Sequence, residues 1–207
     1  EKKSYGYEMV FADKTAEATG PDFVASIWAA RSIGFLLQEI RLHGQNKELV
    51  DEVVRLSQKF GIVTEYTAFL ATSGGVYAEG QAADAARRNM EEANARQSGR
   101  WAVNQAFNDK QLQQRVANAA GVNTFVDSAG ETRSVSTIRQ IGKRAFYEKD
   151  GKWVDADAGT NRAVRTVKAF STEYFDLVKK NEDFRKAQEF GANVIMNVGD
   201  ERIAVEK

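Results

Sequence analysis

Cysteine is absent from the 207 residues, and proline and histidine occur once each. The first absence removes disulfides and thiol chemistry, and it argues mildly against an animal extracellular protein while fitting cytosol or a bacterial envelope. The single histidine, His43, falls where a helix C-terminal dipole contact would place it, and that reading outweighs a general base. A Ser-His-Asp triad would lack its Gly-x-Ser-x-Gly elbow. Neither sign of charge is in excess, with 29 basic and 29 acidic residues, so there is no bulk electrostatic case for nucleic acid or an anionic membrane. No run approaches the ~20 apolar residues needed to span a bilayer. No signal peptide, internal repeat or low-complexity tract is visible. Nothing supplies a nucleophile with its base, a metal-ligand cluster or a phosphate-cradling loop.

What is present is enough apolar material for a core, 43% of residues, with 28% charged. The most informative stretch covers residues 21–70. Pro21-Asp22 suits a helix start. Phe23, Ile27, Ala30, Ile33, Leu37 and Ile40 then recur three or four apart on one stripe, widened by Trp28, Phe35 and Leu36. Arg41 and His43 followed by Gly44 end this helix. Asn46 is the N-cap of a second helix, with Glu48, Asp51 and Glu52 in its opening turns and Leu49, Val50, Val53, Leu56 and Phe60 turned inward. Gly61 closes it, and the β-branched and aromatic run 62–70 predicts a strand.

A tryptophan-alanine pair opening a helix, the ending EIRLHG and the glycine-bounded run GIVTEYTAFL occur here together. On these residues the segment 23–71 resembles the region that follows the A domain in VIT and von Willebrand factor A domain proteins, the group of the inter-alpha-trypsin inhibitor heavy chains and their bacterial relatives. A weaker likeness spans 140–205, through KRAFYEKDGKWVDAD and TEYFDLVKKNEDFRKAQEFGANVIMNV. One departure is Glu65, where the family usually carries proline. The resemblance implies an upstream A domain that binds a divalent cation, magnesium or calcium, through an Asp-x-Ser-x-Ser loop. No such loop occurs in this chain, and Asp127-Ser128-Ala129-Gly130-Glu131 has the wrong spacing. The expectation is therefore a C-terminal piece of a longer protein, opening inside a strand at 4–12.

Beyond the break at Thr72-Ser73-Gly74-Gly75, residues 81–97 are strong helix formers with a narrow stripe of Ala82, Ala86, Met90 and Ala93. Trp101, Val103, Phe107, Leu112 and Val116 give a second, less regular helix. The polar section 121–137 reads as a loop or a poorly ordered crossing. Asp150-Gly151 and Gly199-Asp200 mark hairpins. A strand at 163–170 precedes a helix capped by Ser171 or Thr172. The predicted fold class is α+β: a helical pair and a strand, a helical middle section, and a C-terminal antiparallel or mixed sheet with a packed helix. The expected division is 1–73, 74–137 and 138–207.

Asp155, Asp157 and Asn161 superficially match a calcium loop, but the closing glutamate is missing and a solvated loop is favoured. Trp28 and Arg31 share a helix face and could anchor a partner, although the favoured reading within this chain puts Trp28 in the core with Arg31 spanning it by its aliphatic stem. With Arg41 and Tyr66 they are the candidate domain-interface residues, the partner being the upstream A domain. The functional expectation is a non-enzymatic scaffold or interaction region of an exported, envelope or extracellular protein engaged in adhesion or protein–protein binding, with no cofactor of its own. The competing expectation is an independent ligand-binding or enzymatic module in the C-terminal part.

Overall fold

The computed structural model describes residues 23–72, 81–95, 98–115, 123–141, 144–157, 163–191 and 193–207. The strand expected at 4–12, the helix start at Pro21 and the ligand candidate Asn161 lie outside them. Helix α1 spans Phe23–His43 and α2 Lys47–Phe60. Their punctuation is as the residues dictate: Gly44 is left-handed and donates its N–H to the Ile40 carbonyl at 2.9 Å. The Asn46 carboxamide accepts the Leu49 N–H, and Gly61 closes α2 at φ 60°.

The strand expected at 62–70 does not form. Residues 65–68 are turn, followed by the short helix α3, Phe69–Thr72. Side chains capture the backbone groups that a neighbouring strand would have paired. The Asn123 amide donates to the Gly61 carbonyl at 2.8 Å, and its oxygen accepts the Val63 N–H at 3.3 Å. The Thr67 hydroxyl accepts the Thr64 N–H, and the Thr64 hydroxyl accepts the Tyr66 and Thr67 N–H groups. The Thr67 N–H also reaches the Thr64 carbonyl at 3.1 Å, closing a turn with Glu65 in its second position. Proline is favoured at that position, so the departure from the resembled family is a change of turn residue.

Helices α4, Gln81–Asn94, and α5, Arg100–Gln113, follow. The section expected as a loop contains a hairpin, β1 Asn123–Val126 against β2 Thr132–Val135. Its turn is organised by the Asp127 carboxylate, which accepts the Ala129 and Glu131 N–H groups, both at 2.9 Å. The Asn108 carboxamide backs the hairpin by bonding both the N–H and the carbonyl of Val126 at 2.9 Å.

The C-terminal part is a six-stranded mixed sheet of β3 Ile138–Ile141, β4 Arg144–Lys149, β5 Lys152–Asp155, β6 Val164–Lys168, β7 Val194–Val198 and β8 Glu201–Glu206. The strand order is β3-β4-β5-β7-β8-β6. Hairpins give the antiparallel pairs, while β5 with β7 and β6 with β8 are parallel. Between β6 and β7 lie α6, Thr172–Lys180, and α7, Glu182–Ala187, supplying the crossover that parallel pairing requires. Asn181 caps both helices, ending α6 and accepting the Phe184 N–H to start α7. The α+β class therefore holds.

Two cores share strand β4. Ala145 and Tyr147 join the core built from α1, α2, α3 and α4, together with Ile138. Phe146, on the opposite face, joins Tyr174, Phe184, Val194, Met196 and Ile203 in the second. Alternation along one strand thus bonds two layers. Tyr147 strengthens the seam by donating its hydroxyl to the Gln58 carbonyl at 2.8 Å. Gly61 lies so close that a Cβ there would come within 2.9 Å of Ala145 and Ile138. The first core draws on residues from all three sequence segments. Among the described residues no helix is long and apolar enough to cross a membrane.

Candidate functional site

Helix α1 is apolar on two faces. One carries Ala29, Ala30, Ile33, Leu37 and Ile40 into the first core. The other carries Val24, Trp28, Phe35 and Leu42, spaced four, seven and seven residues, each between 54% and 63% exposed, so Trp28 and Phe35 do not widen the buried stripe as expected but lie on the outer side of the helix. Such spacing lines them up along the helix as one ridge. A helix apolar on both sides is one built to be covered on both sides. Of the ridge residues, Trp28 makes one aromatic contact within the chain, edge-on to Phe60 at 6.5 Å between ring centres. Arg31 flanks the ridge and donates Nε to the Arg115 carbonyl at 2.9 Å.

The ridge adjoins α5, which crosses α1 in antiparallel fashion. Gln113 bonds the Gly34 carbonyl at 3.1 Å and the Gln38 side chain at 2.6 Å. Gly34 permits this approach, since a Cβ there would stand 2.8 Å from the Asp109 carbonyl oxygen. On α5, Val103 and Phe107 are also exposed, one turn apart.

Arg41 and Tyr66 belong to a different environment. Arg41 Nη1 lies 2.8 Å from Asp109 Oδ2, with the Asp109 side chain almost fully buried. Tyr66 is buried in the first core, and its carbonyl accepts a bond from the Asn89 amide at 3.1 Å. Between them sits Glu65, which the turn at 64–67 drives inward. Both Glu65 carboxyl oxygens are shut off from solvent, as is Asp109 Oδ1. Burial pushes the Glu65 carboxyl up to about 7, its own backbone N–H, Asn108 and Tyr66 opposing and Asp109 adding to the rise. Burial also pushes Asp109 up to about 6 against the pull of Arg41. The Tyr66 hydroxyl is held far above the ordinary phenol range by burial and by the neighbouring Glu65 and Asp109 charges. It stays neutral and can only donate or accept a hydrogen bond.

Two cavities meet Glu65. One of about 220 Å³ is walled by Glu65, Tyr66, Asn89, Glu92, Ala93, Trp101 and Ser128. A smaller one of about 70 Å³ includes Thr64, Asn108, Arg115 and Phe125.

The four interface candidates thus separate into two pairs. Trp28 and Arg31 stand on the outer side of α1, while Arg41 and Tyr66 frame a buried acidic cluster. Of the acids of that cluster, Glu65 enters the sequence reading only as a departure from the family's proline, not as a site residue, and Asp109 does not enter it. The signal that could have found Glu65 was an ionisable residue at a turn position bounded by Val63-Thr64 and Tyr66-Thr67.

Asp155 does not present free oxygens. Asp155 is buried and pairs with Arg144 Nη1 at 2.5 Å, and it accepts the Asp157 N–H at 3.0 Å. Arg144 also reaches Asp183 at 3.0 Å, so the arginine already occupies the place a cation would take. Asp157 is exposed. Among the described residues no group of three or more His, Cys, Asp or Glu gathers as metal ligands. His43 Nδ1 lies 2.9 Å from Glu39, one turn back on the same exposed surface.

Comparison with protein-family models, curated proteins and solved structures returns no match.

Proposed function

We propose that this chain is a non-enzymatic scaffold and interaction region of a protein of the VIT and von Willebrand factor A type, exported and engaged in adhesion or protein–protein binding. The observation that carries the reading is the second apolar face of α1. Val24, Trp28, Phe35 and Leu42 are large, aligned and exposed, although the same helix is anchored by its other face. An aligned exposed apolar stripe on a rigid helix marks a contact surface. It also lies within the segment that carries the resemblance. The partner is the A domain of the same protein, which would hold the magnesium or calcium ion.

The test adds a purified A domain of this protein class to the chain, with and without magnesium, and follows binding by calorimetry and backbone protection by hydrogen exchange. New protection confined to α1, together with roughly tenfold or greater weakening in Phe35→Glu, supports the proposal. Equal binding by Phe35→Glu, or no binding by either protein, removes it.

A further inference from the structure

We infer, resting on the ridge reading above, that the partner docks one amphipathic helix with an acidic flank into the furrow between α1 and α5, with Phe35 and Leu42 on one wall and Val103 and Phe107 on the other. Val103 and Phe107 are 68% and 49% exposed, although the same helix packs Trp101 and Leu112 against the first core. At about 100° per residue, Val103 lies opposite Trp101 and Leu112, as Phe35 lies opposite Ile33 and Leu37 on α1. Both apolar lines therefore rise from the outer surface of the helix pair. The close approach of Gly34 to Asp109 and Gln113 sets the register of the two antiparallel helices, bringing Leu42 level with Val103 and Phe35 level with Lys110. Between the walls lie Gln38 and Gln113, bonded at 2.6 Å, and the small, exposed Ala106.

Shape and charge together fix the occupant. Packed helices stand ~8–10 Å apart, and two apolar lines along an antiparallel pair leave a furrow that the side chains of a third helix fill, with anchors three, four and seven residues apart. An extended segment would bring backbone N–H and C=O groups to a surface with no strand to pair them, since α1 and α5 satisfy their own within the helices. That disfavours a strand. The charge follows from what the two helices hold. Their only acids are Glu39, 2.9 Å from the His43 ring, and Asp109, buried against Arg41 at 2.8 Å. Arg31 on α1 and Lys110 on α5 are exposed beside the furrow. A carboxylate on the entering helix meets a base from either wall, while a lysine there meets like charge. Such rim charges set register and the rate of association more than affinity, so the apolar walls carry the larger share of binding.

The intact chain is titrated by calorimetry with the purified A domain, the probe named above, and both proteins are mapped by hydrogen exchange. The expected result is protection of α1 and α5 in this chain and of one helix in the A domain, with Val103→Glu weakening binding by roughly tenfold or more. Phe107→Ser tests the same wall without adding charge and should weaken binding severalfold. Lys110→Glu should also weaken it severalfold, more at low salt than at high salt. An acid of the protected helix changed to lysine should weaken binding to the parent and recover it with Lys110→Glu, a rescue that a merely structural role would not give. All three positions are exposed, so the variants are expected to keep the parent's urea midpoint. Binding of the Val103, Phe107 and Lys110 variants equal to the parent, while Phe35→Glu loses it, overturns the furrow and leaves the ridge reading intact. Protection of a strand or loop of the A domain overturns the furrow in the same way. Absence of any binding removes the ridge reading, and the furrow with it.

Discussion

Glu65 and Asp155 are both carboxyls withdrawn from water, one in the helical half of the molecule and one in the sheet half, and their surroundings differ. Asp155 has a guanidinium at 2.5 Å and a backbone N–H at 3.0 Å, and that same Arg144 continues to Asp183 on α7. Glu65 has no arginine partner; its carboxyl oxygens are shut off from solvent, and only its own backbone N–H, Asn108 and Tyr66 oppose the effect of burial. In both cases burial is the largest influence and raises the pKa. Only for Asp155 does an arginine offset it directly. The sheet half uses its buried acid as a fastener between β4, β5 and α7. The helical half holds its acid without a countercharge, which costs stability.

The largest expected effect breaks the fastener. Arg144→Ala leaves Asp155 buried without its cation and frees Asp183, and it should lower stability by about 3 kcal/mol at pH 7, read by urea unfolding. A loss below ~1 kcal/mol would mean that water reaches Asp155 freely, and the contrast with Glu65 would fail.

The intermediate effect has the opposite sign. For Glu65 the folded-state value of about 7 lies above the ordinary 4.5, so the folded protein holds a proton that the unfolded chain releases. Stability from this group is greatest below pH 4.5, falls as pH rises towards 7, and is level above that. Glu65→Gln should therefore stabilise the protein at pH 8 by roughly 1–3 kcal/mol and flatten the profile between pH 5 and 7. Destabilisation at pH 8 would show instead that the carboxylate has a partner in solution.

Much of this architecture was legible where the signal is local. Asn46 and Gly61 bound α2 because a cap needs only a carboxamide or a glycine at the right place, and Asp150-Gly151 makes its hairpin for the same kind of reason. The run at 62–70 misled because its pairing needs are met by the carboxamide of Asn123, distant in sequence, and by two threonine hydroxyls within the turn. The 121–137 section looked like a loop because Asp127, the residue that organises its turn, is also a common loop residue. Parallel pairing of β5 with β7 leaves no local trace, since it depends on where α6 and α7 return the chain. The acidic cluster was half visible: Arg41 and Tyr66 were among the interface candidates. Their acids come from a turn and from α5, and periodicity cannot show which helix faces which residue.

The smallest expected effect concerns the ridge, and its smallness is the point. Phe35 is 59% exposed, while Phe184 in the second core is fully buried. Phe184→Ala should cost about 3–5 kcal/mol, since it removes a whole ring from a packed core. Phe35→Ser should change stability by no more than ~0.5 kcal/mol, because the ring retains most of its exposure in the folded chain. Thermal and urea unfolding of the two variants under identical conditions make the comparison. If Phe35→Ser costs more than about 1 kcal/mol, the ridge belongs to the fold and some other part of the chain covers it. If the change is near zero, keeping Val24, Trp28, Phe35 and Leu42 aligned in water adds nothing to folding, and the selective reason for so apolar an outer face lies in what binds there.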